Sequence, residues 1–335
     1  VNNIIQFPFY FLEEGDMENT QKKSSKKKLF ERYNRFGYYF LIPFFVGFIV
    51  FQLYPIIYSI AISFTSMNGF QTFSEATNVG LGNFSTLLKN TPLFITSIQN
   101  TLLLWGMNFV PQILMALILA AWWTNRKLNL KGNSFWKTVF YLPNMIMAAS
   151  IAALFLGIFG YPNGPANLLL TNLHIISHPF NFFQSIWGTR SIIIFLQFWM
   201  WYGSTAIVLV AGISSIDDAL FEAARIDGAS DGQIFRKITL PLLRPIVMYT
   251  FVTSFVGGLQ VFDIPYLLSS GSGGPQNSTY TLAMFIYNQA FQYRNYGIAA
   301  AASVILLIIA AIVSIALFRF FRERTSNKDL VGGKD

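Results

Sequence analysis

The sequence predicts an all-α polytopic membrane protein with six transmembrane helices. Of its 335 residues, 53% are hydrophobic and only 11% are charged, where a soluble domain carries roughly a quarter charged residues. Six stretches are long and apolar enough to meet the requirement of about 20 residues for a spanning helix. The basic residues alternate between connecting segments in the way that sets membrane orientation.

The first span is predicted at about 38–63, within YYFLIPFFVGFIVFQLYPIIYSIAIS, and the second at about 95–123, ending in LILAAWW. The third covers about 137–160, the fourth about 190–213, the fifth about 246–268 and the sixth about 297–321. Charges lie outside these cores or at their ends, apart from Asp263 in the fifth span. All Lys and Arg except Lys89, Arg190 and Arg294 fall in the N-terminal segment, the loop after span two, the loop after span four, or the C-terminal tail. Positive charge marks the cytoplasmic side, so both termini and the loop at 214–245 are predicted to be cytoplasmic. The domain reading is an N-terminal tail at 1–36, a membrane domain at 37–322 and a tail at 323–335. Trp122, Trp123 and Trp136 fall where an interfacial aromatic belt is expected.

The first sixteen residues read oddly. VNNIIQFPFYFL is too short to span and lacks the basic start of a signal peptide. Glu13-Glu14-Gly15 stands just ahead of Met17, and codons for these residues can spell a ribosome-binding site. The expectation is that 1–16 is upstream sequence read through and that translation starts at Met17. An interfacial N-terminal segment is the alternative. The basic run KKSSKKK reads as a solvated tether attracted to anionic lipid rather than to nucleic acid.

Several chemistries are excluded. There is no cysteine, and the two histidines, His174 and His178, cannot build a histidine-rich metal centre. No G-x-x-x-x-G-K-[ST] phosphate loop exists. A membrane enzyme would need paired acids or histidines at a membrane face. The clustered acids Asp217, Asp218, Glu222, Asp227 and Asp231 belong instead to one patterned loop.

That loop contains EAARIDGASDGQIFRKITLPLLRP, from Glu222 to Pro245. Asp217 and Asp218 suit a helix N-terminus, and Ala219 to Ile226 are good helix formers. Gly228 ends that helix. Ser230 and Gln233 form an S-x-x-Q capping box for a second helix, whose apolar stripe is Ile234, Phe235 and Ile238. Pro241 and Pro245 stop it before the fifth span. Small residues at 223, 224, 228 and 229 allow close approach, and Ile234 and Phe235 offer an anchor for a cytosolic partner. A helix pair lying on lipid is the alternative reading of the same residues.

The stretch resembles the EAA loop of binding-protein-dependent ABC importer permeases, closest to the maltose-type and multiple-sugar branch. Glu222-Ala223-Ala224, Asp227-Gly228-Ala229, Phe235, Ile238, Leu240-Pro241 and Pro245 carry the resemblance. GLGNFSTLL at 80–88, QNTLLLW at 99–105 and VFDIPYLLSSGSGGPQNSTYTL at 261–282 extend it, so that it covers about 36–322. The resemblance implies a type I ABC importer permease fold. It implies that the loop is a coupling helix seated in a cytosolic ATPase, with Glu222, Ala223, Ala224, Asp227, Gly228, Ala229, Phe235 and Pro241 as coupling residues. The implied partners are two ATPase subunits, a second permease half and an extracellular sugar-binding protein, in a bacterial plasma membrane. ATP and Mg would be handled by the ATPase, and this chain would bind no cofactor.

A sugar path needs polar groups and aromatic faces. Gln197, Trp201 and Ser204 recur at i, i+4, i+7 on one face of span four. Ser254 in span five and Ser150 in span three are further candidates. Asp263 is either a path residue or a structural cap for the Gly-Gly-Pro loop. Helix–helix hydrogen bonding is the alternative for the serines and the glutamine. Trp199 and Tyr202 read as packing. The absence of Lys and Arg inside the spans favours neutral sugars over glycerol 3-phosphate or a related polar solute.

Overall fold

The computed structural model describes residues 38–125, 128 and 131–329, with side chains described to Arg319. The N-terminal tail, Met17, Arg126, Lys127 and the end of the C-terminal tail lie outside the described residues. The chain divides into two units, 1–59 and 60–335. The described part of the first is helical and belongs to α1 (Tyr38–Ser63). Within it Tyr54 stacks on Tyr58 at 6.0 Å.

The second unit holds the remaining helices. Among them are α2 (Pro92–Thr124), α3 (Asn133–Met145), α4 (Ala148–Ile158), α5 (Pro165–Asn172) and α6 (Ile186–Ser214). Next come α7 (Asp218–Ile226) and α8, in which Asp231–Ile234 continues through Phe235–Thr239 to Leu240–Leu242. They are followed by α9 (Arg244–Leu259), α10 (Asp263–Leu268), α11 (Leu282–Tyr287) and α12 (Tyr296–Asp329). Among the described residues there is no strand, only an isolated bridge between Thr65 and Asn78.

Among the described residues, five helical spans are long and apolar enough to cross a membrane: α1, α2, α6, α9 with α10, and α12. The sixth predicted span, at about 137–160, is not one straight helix. It is α3 and α4, bent by 85°. Pro143 sits in the last turn of α3, where it has no N–H to donate, and Ile146 and Met147 turn to extended backbone before α4 begins. The fifth span is also interrupted. Helix α9 ends at Leu259, Phe262 leaves helical geometry with φ −133°, and Asp263 opens α10.

Proline explains two wide helical turns. Ile49–Leu53 and Phe235–Thr239 are π-helical, and in each the next residue donates five positions back, Tyr54 to Ile49 and Leu240 to Phe235. Pro55 and Pro241 follow at once. A proline ring crowds the carbonyl four residues earlier, and widening the preceding turn relieves that crowding while keeping the neighbouring carbonyl bonded.

Helices α2 and α6 form the most extensive helix pair. Ala116, Leu119, Ala120 and Trp123 of α2 pack in one core with Tyr202, Ala206, Leu209 and Ile213 of α6. Trp123 is 7% exposed and meets Phe140 edge-on at 5.7 Å, so it is a core residue and not part of an interfacial belt; Trp122 and Trp136 are exposed. Tyr202 is buried and Trp199 packs against the same core, in keeping with a packing role. A second core joins Leu104 of α2, Ile151 and Ala152 of α4, Ile192, Ile193 and Leu196 of α6, and Ile264 and Leu268 of α10. A third joins Phe94, Leu282, Phe285, Ala301 and Ala302, tying α2 to α11 and α12.

Helix α9 approaches α2 at Gly258. A Cβ there would fall inside contact distance of the Trp105 ring. That ring is already held by Phe109 at 5.4 Å, Phe251 at 5.5 Å and Phe255 at 4.9 Å. Gly258→Ala is expected to lower the stability of the purified protein by about 1–3 kcal/mol through overpacking, read as a drop in its unfolding temperature in detergent.

Candidate functional site

Two places concentrate the residues singled out in the sequence. One is a cavity of about 450 Å³ between α2, α6, α9 and α10. Helix α2 contributes Leu104, Trp105, Asn108 and Gln112, and α6 contributes Gln197, Met200, Trp201, Ser204, Thr205 and Val208. From α9 come Tyr249, Thr250, Thr253, Ser254, Gly257 and Gly258, and from the break and α10 Gln260, Val261, Phe262, Asp263 and Ile264. Ala148, at the bend between α3 and α4, completes the wall.

Gln197, Trp201, Ser204, Ser254 and Asp263 thus line one space. Ser150 does not: it is exposed on α4, away from the cavity lining. The α3–α4 bend turns the helix there, which a straight span would not do. Trp201 is 49% exposed and Tyr249 is 58% exposed. Among the described residues neither ring packs on another aromatic side chain, and both are largely exposed. Asp263 is exposed, with no hydrogen bond or ion pair to another described residue. No Lys or Arg lines the cavity.

The residues missed at sequence level are those of α2. Trp105, Asn108 and Gln112 share one helical face, the same kind of signal that marks Gln197. Trp105 Nε1 donates to Ser254 Oγ at 3.2 Å, and Gln112 Nε2 donates to Thr205 Oγ1 at 2.8 Å. These bonds cross from α2 to α9 and from α2 to α6.

The Gly-Gly-Pro loop is held by groups other than Asp263, which corrects the capping alternative. Arg190, near the start of α6, donates through Nε to the Ser278 carbonyl at 3.0 Å and through Nη2 to Asn100 Oδ1 at 2.9 Å. Asn100 Nδ2 donates in turn to the carbonyls of Asn277 at 2.7 Å and Tyr280 at 3.2 Å. Thr101 Oγ1 accepts from the Leu282 amide at 2.9 Å. Burial raises the Tyr280 phenol above its ordinary range, and a 2.7 Å hydrogen bond from Asn288 Nδ2 works against that rise.

The second place is the loop of α7 and α8. Asp217 caps α7 by accepting from the Ala219 amide at 3.0 Å. The helix ends in a Schellman motif, with Ala229 N–H donating to Ala224 O at 2.9 Å and Gly228 N–H to Arg225 O at 3.1 Å. Gly228 carries φ +79°, which favours glycine. The capping box is present: Ser230 N–H donates to Gln233 Oε1 at 2.8 Å, and Gln233 N–H to Ser230 Oγ at 3.4 Å.

Helix α7 buries no residue. Glu222, Ala223, Asp227 and Gly228 are exposed, and Ala224 and Ala229 are half-buried. Ile234, read as an anchor for a partner, is instead 6% exposed within this chain. Phe235 and Pro241 are half-buried. On α7 the exposed large apolar groups are Leu220 at 47% and Ile226 at 86%, which the sequence pattern alone did not single out. Leu243, just after α8, is 1% exposed and belongs to the α2–α6 core.

Comparison with known proteins places the chain. Residues 112–327 match the family described as the binding-protein-dependent transport system inner membrane component, and the chain belongs to that family. It is 34% identical to the lactose transport system permease protein LacF of Rhizobium radiobacter, over 90% of this chain and 99% of LacF. It is 32% identical to the arabinooligosaccharides transport system permease protein AraP of Bacillus subtilis (strain 168), over 88% of this chain and 91% of AraP. A chain of a bacterial alginate ABC transporter, crystallised with an alginate pentasaccharide-bound periplasmic protein, superposes with a TM-score of 0.71. That match is 27% identical and covers 88% of this chain and 96% of the other. The fold is that of a type I ABC importer permease. The chain is a multi-pass membrane permease that works with a solute-binding protein, and it is not an enzyme.

Arg190→Ala is expected to loosen the Gly-Gly-Pro loop. Hydrogen bonds to a charged group contribute about 1.5–3 kcal/mol, so amide hydrogen exchange across 273–282 should quicken by roughly tenfold or more.

Proposed function

We propose that this chain is a transmembrane permease subunit of an ATP-driven importer for sugars or oligosaccharides in a bacterial plasma membrane. The observation that carries the reading is the cavity. It offers buried amides, hydroxyls and the exposed aromatic groups of Trp201 and Tyr249, which is the mixture that hydroxyl-rich rings need. The names of LacF and AraP, for lactose and arabinooligosaccharides, support the same solute class. Gln197, Trp201, Ser204, Ser254 and Asp263 are the path residues in this reading. Glycerol 3-phosphate or a related anion is disfavoured, because the wall carries Asp263 and no cation.

Drive comes from outside the chain. Two ATPase subunits hydrolyse ATP with Mg, this chain binds no cofactor, and a second permease half forms a heterodimer with it. An extracellular sugar-binding protein delivers solute, in line with the periplasmic protein of the alginate complex. Both termini and the α7–α8 loop face the cytoplasm, following the positive charge. Helix α7 docks on the ATPase through Glu222, Ala223, Ala224, Asp227, Gly228 and Ala229, with Phe235 and Pro241 supporting α8. ATPase closure moves this loop and opens the cavity outward; hydrolysis returns it.

Cells with the gene deleted and restored test the solute class with labelled lactose, arabinotriose and glycerol 3-phosphate. Loss and rescue of a neutral sugar is the expected result. Loss of glycerol 3-phosphate uptake alone would replace it. Glu222→Lys should leave the protein inserted in the membrane while cutting uptake by roughly tenfold or more, since reversing a charge in a docking surface costs several kcal/mol; normal uptake would count against the docking role.

A further inference from the structure

Apart from the exposed Tyr249, Gln260 and Asp263, the polar side chains of the cavity fall into two groups. Most have already committed their protons. Gln112 Nε2 bonds Thr205 Oγ1, and Trp105 Nε1 bonds Ser254 Oγ. The hydroxyls of Ser204, Thr205, Thr250 and Thr253 return to carbonyls of their own helices. Asn108 and Gln197 differ. Each is 7% exposed, each lines the cavity, and neither makes a hydrogen bond to another described residue. Asn108 Oδ1 is sealed and has no hydrogen-bond partner among the described residues.

A buried carboxamide with nothing to bond is costly, and polar groups at span depth are kept for function or for bonding between helices. Asn108 does not bond between helices. It stands on the α2 face that carries Trp105 and Gln112, whose side chains are both fixed by such bonds. Its amide is therefore the free group on an otherwise locked face. The terminal amide torsion is soft, so a small rotation can bring either the donor or the acceptor to the cavity. A carboxamide that gives one hydrogen bond and takes another complements two neighbouring hydroxyls on a ring.

We propose that Asn108 is a specificity-determining residue that reads hydroxyl groups of the transported solute, a neutral polyhydroxylated ring. The proposal rests on the sugar reading above and adds α2 to the walls that recognise the solute. Gln197 on α6 offers a second unpartnered amide to the same ligand. Solute hydroxyls satisfy the Asn108 amide that the free protein leaves unbonded, so removing the amide should weaken binding without weakening the fold.

The test uses the complete transporter, purified with its partner permease and ATPase subunits and without the binding protein. Equilibrium binding of labelled lactose, arabinotriose and raffinose is measured beside the unfolding temperature. The wild type should bind at least one of these sugars. Asn108→Leu, or Asn108→Ala if the leucine variant does not accumulate, should weaken that binding by roughly tenfold with an unfolding temperature equal to or above that of the wild type. Unchanged binding in the variant overturns the role of Asn108 and leaves the sugar reading standing. Weaker binding together with a lowered unfolding temperature assigns Asn108 to packing and also overturns the proposal. A wild-type transporter that binds none of the three sugars overturns the sugar reading, and the Asn108 proposal with it.

Discussion

The seam between α2 and α6 is the contact on which the second unit depends. Ala116 and Ala120 of α2 and Ala206 of α6 are fully buried, and small residues let two helix backbones approach closely in a setting where lipid and protein are equally apolar. Between helices that close, the Gln112–Thr205 hydrogen bond fixes register. The same seam carries Leu104 and Leu196 into the core shared with α4 and α10. The cavity lies where the seam opens. Its walls are the polar continuation of two helices whose apolar faces are already locked.

Interruptions of the helices do the rest of the positioning. The bend between α3 and α4 brings Ala148 to the cavity wall, and the break before α10 brings Gln260, Val261, Phe262 and Asp263 there. Non-helical backbone at membrane depth is tolerated where it lines a cavity or is buried in protein, and the break before α10, whose Gln260, Val261 and Phe262 line the cavity, meets that condition. At the Gly-Gly-Pro loop a different solution applies. There Arg190 and Asn100 supply side-chain donors to loop carbonyls that no helix satisfies.

Much of this was legible in the chain. Five of the spans are read from apolar length alone, because the bilayer sets that length. The caps of α7 and α8 are read from Asp217, Gly228, Ser230 and Gln233, because capping is local chemistry. The α3–α4 bend was not legible: Pro143 stands in an apolar run whose composition is that of a continuous span. Nor was the burial of Trp123 and Ile234, since apolar residues facing lipid and facing protein look alike in sequence. At the cavity, span-depth polar residues with aromatic neighbours marked α6 correctly as a polar face. Asn108 and Gln112 carried the same mark on α2 and needed the fold to show that they share a space with Gln197. Ser150 was misplaced for the converse reason, since a serine on a bent helix can leave the bundle interior within one turn.

The join between α8 and α9 has a mechanical consequence. Leu243 is sunk in the α2–α6 core, and it follows, after Leu240–Leu242, on the widened turn that Pro241 imposes on α8. Gly212 lies so close that a Cβ there would press on Leu243 and Ile246. The loop is thus not a tether with slack. In the coupling role proposed above, a displacement of α8 would meet a joint already packed into the α2–α6 core at Leu243 and held against Gly212.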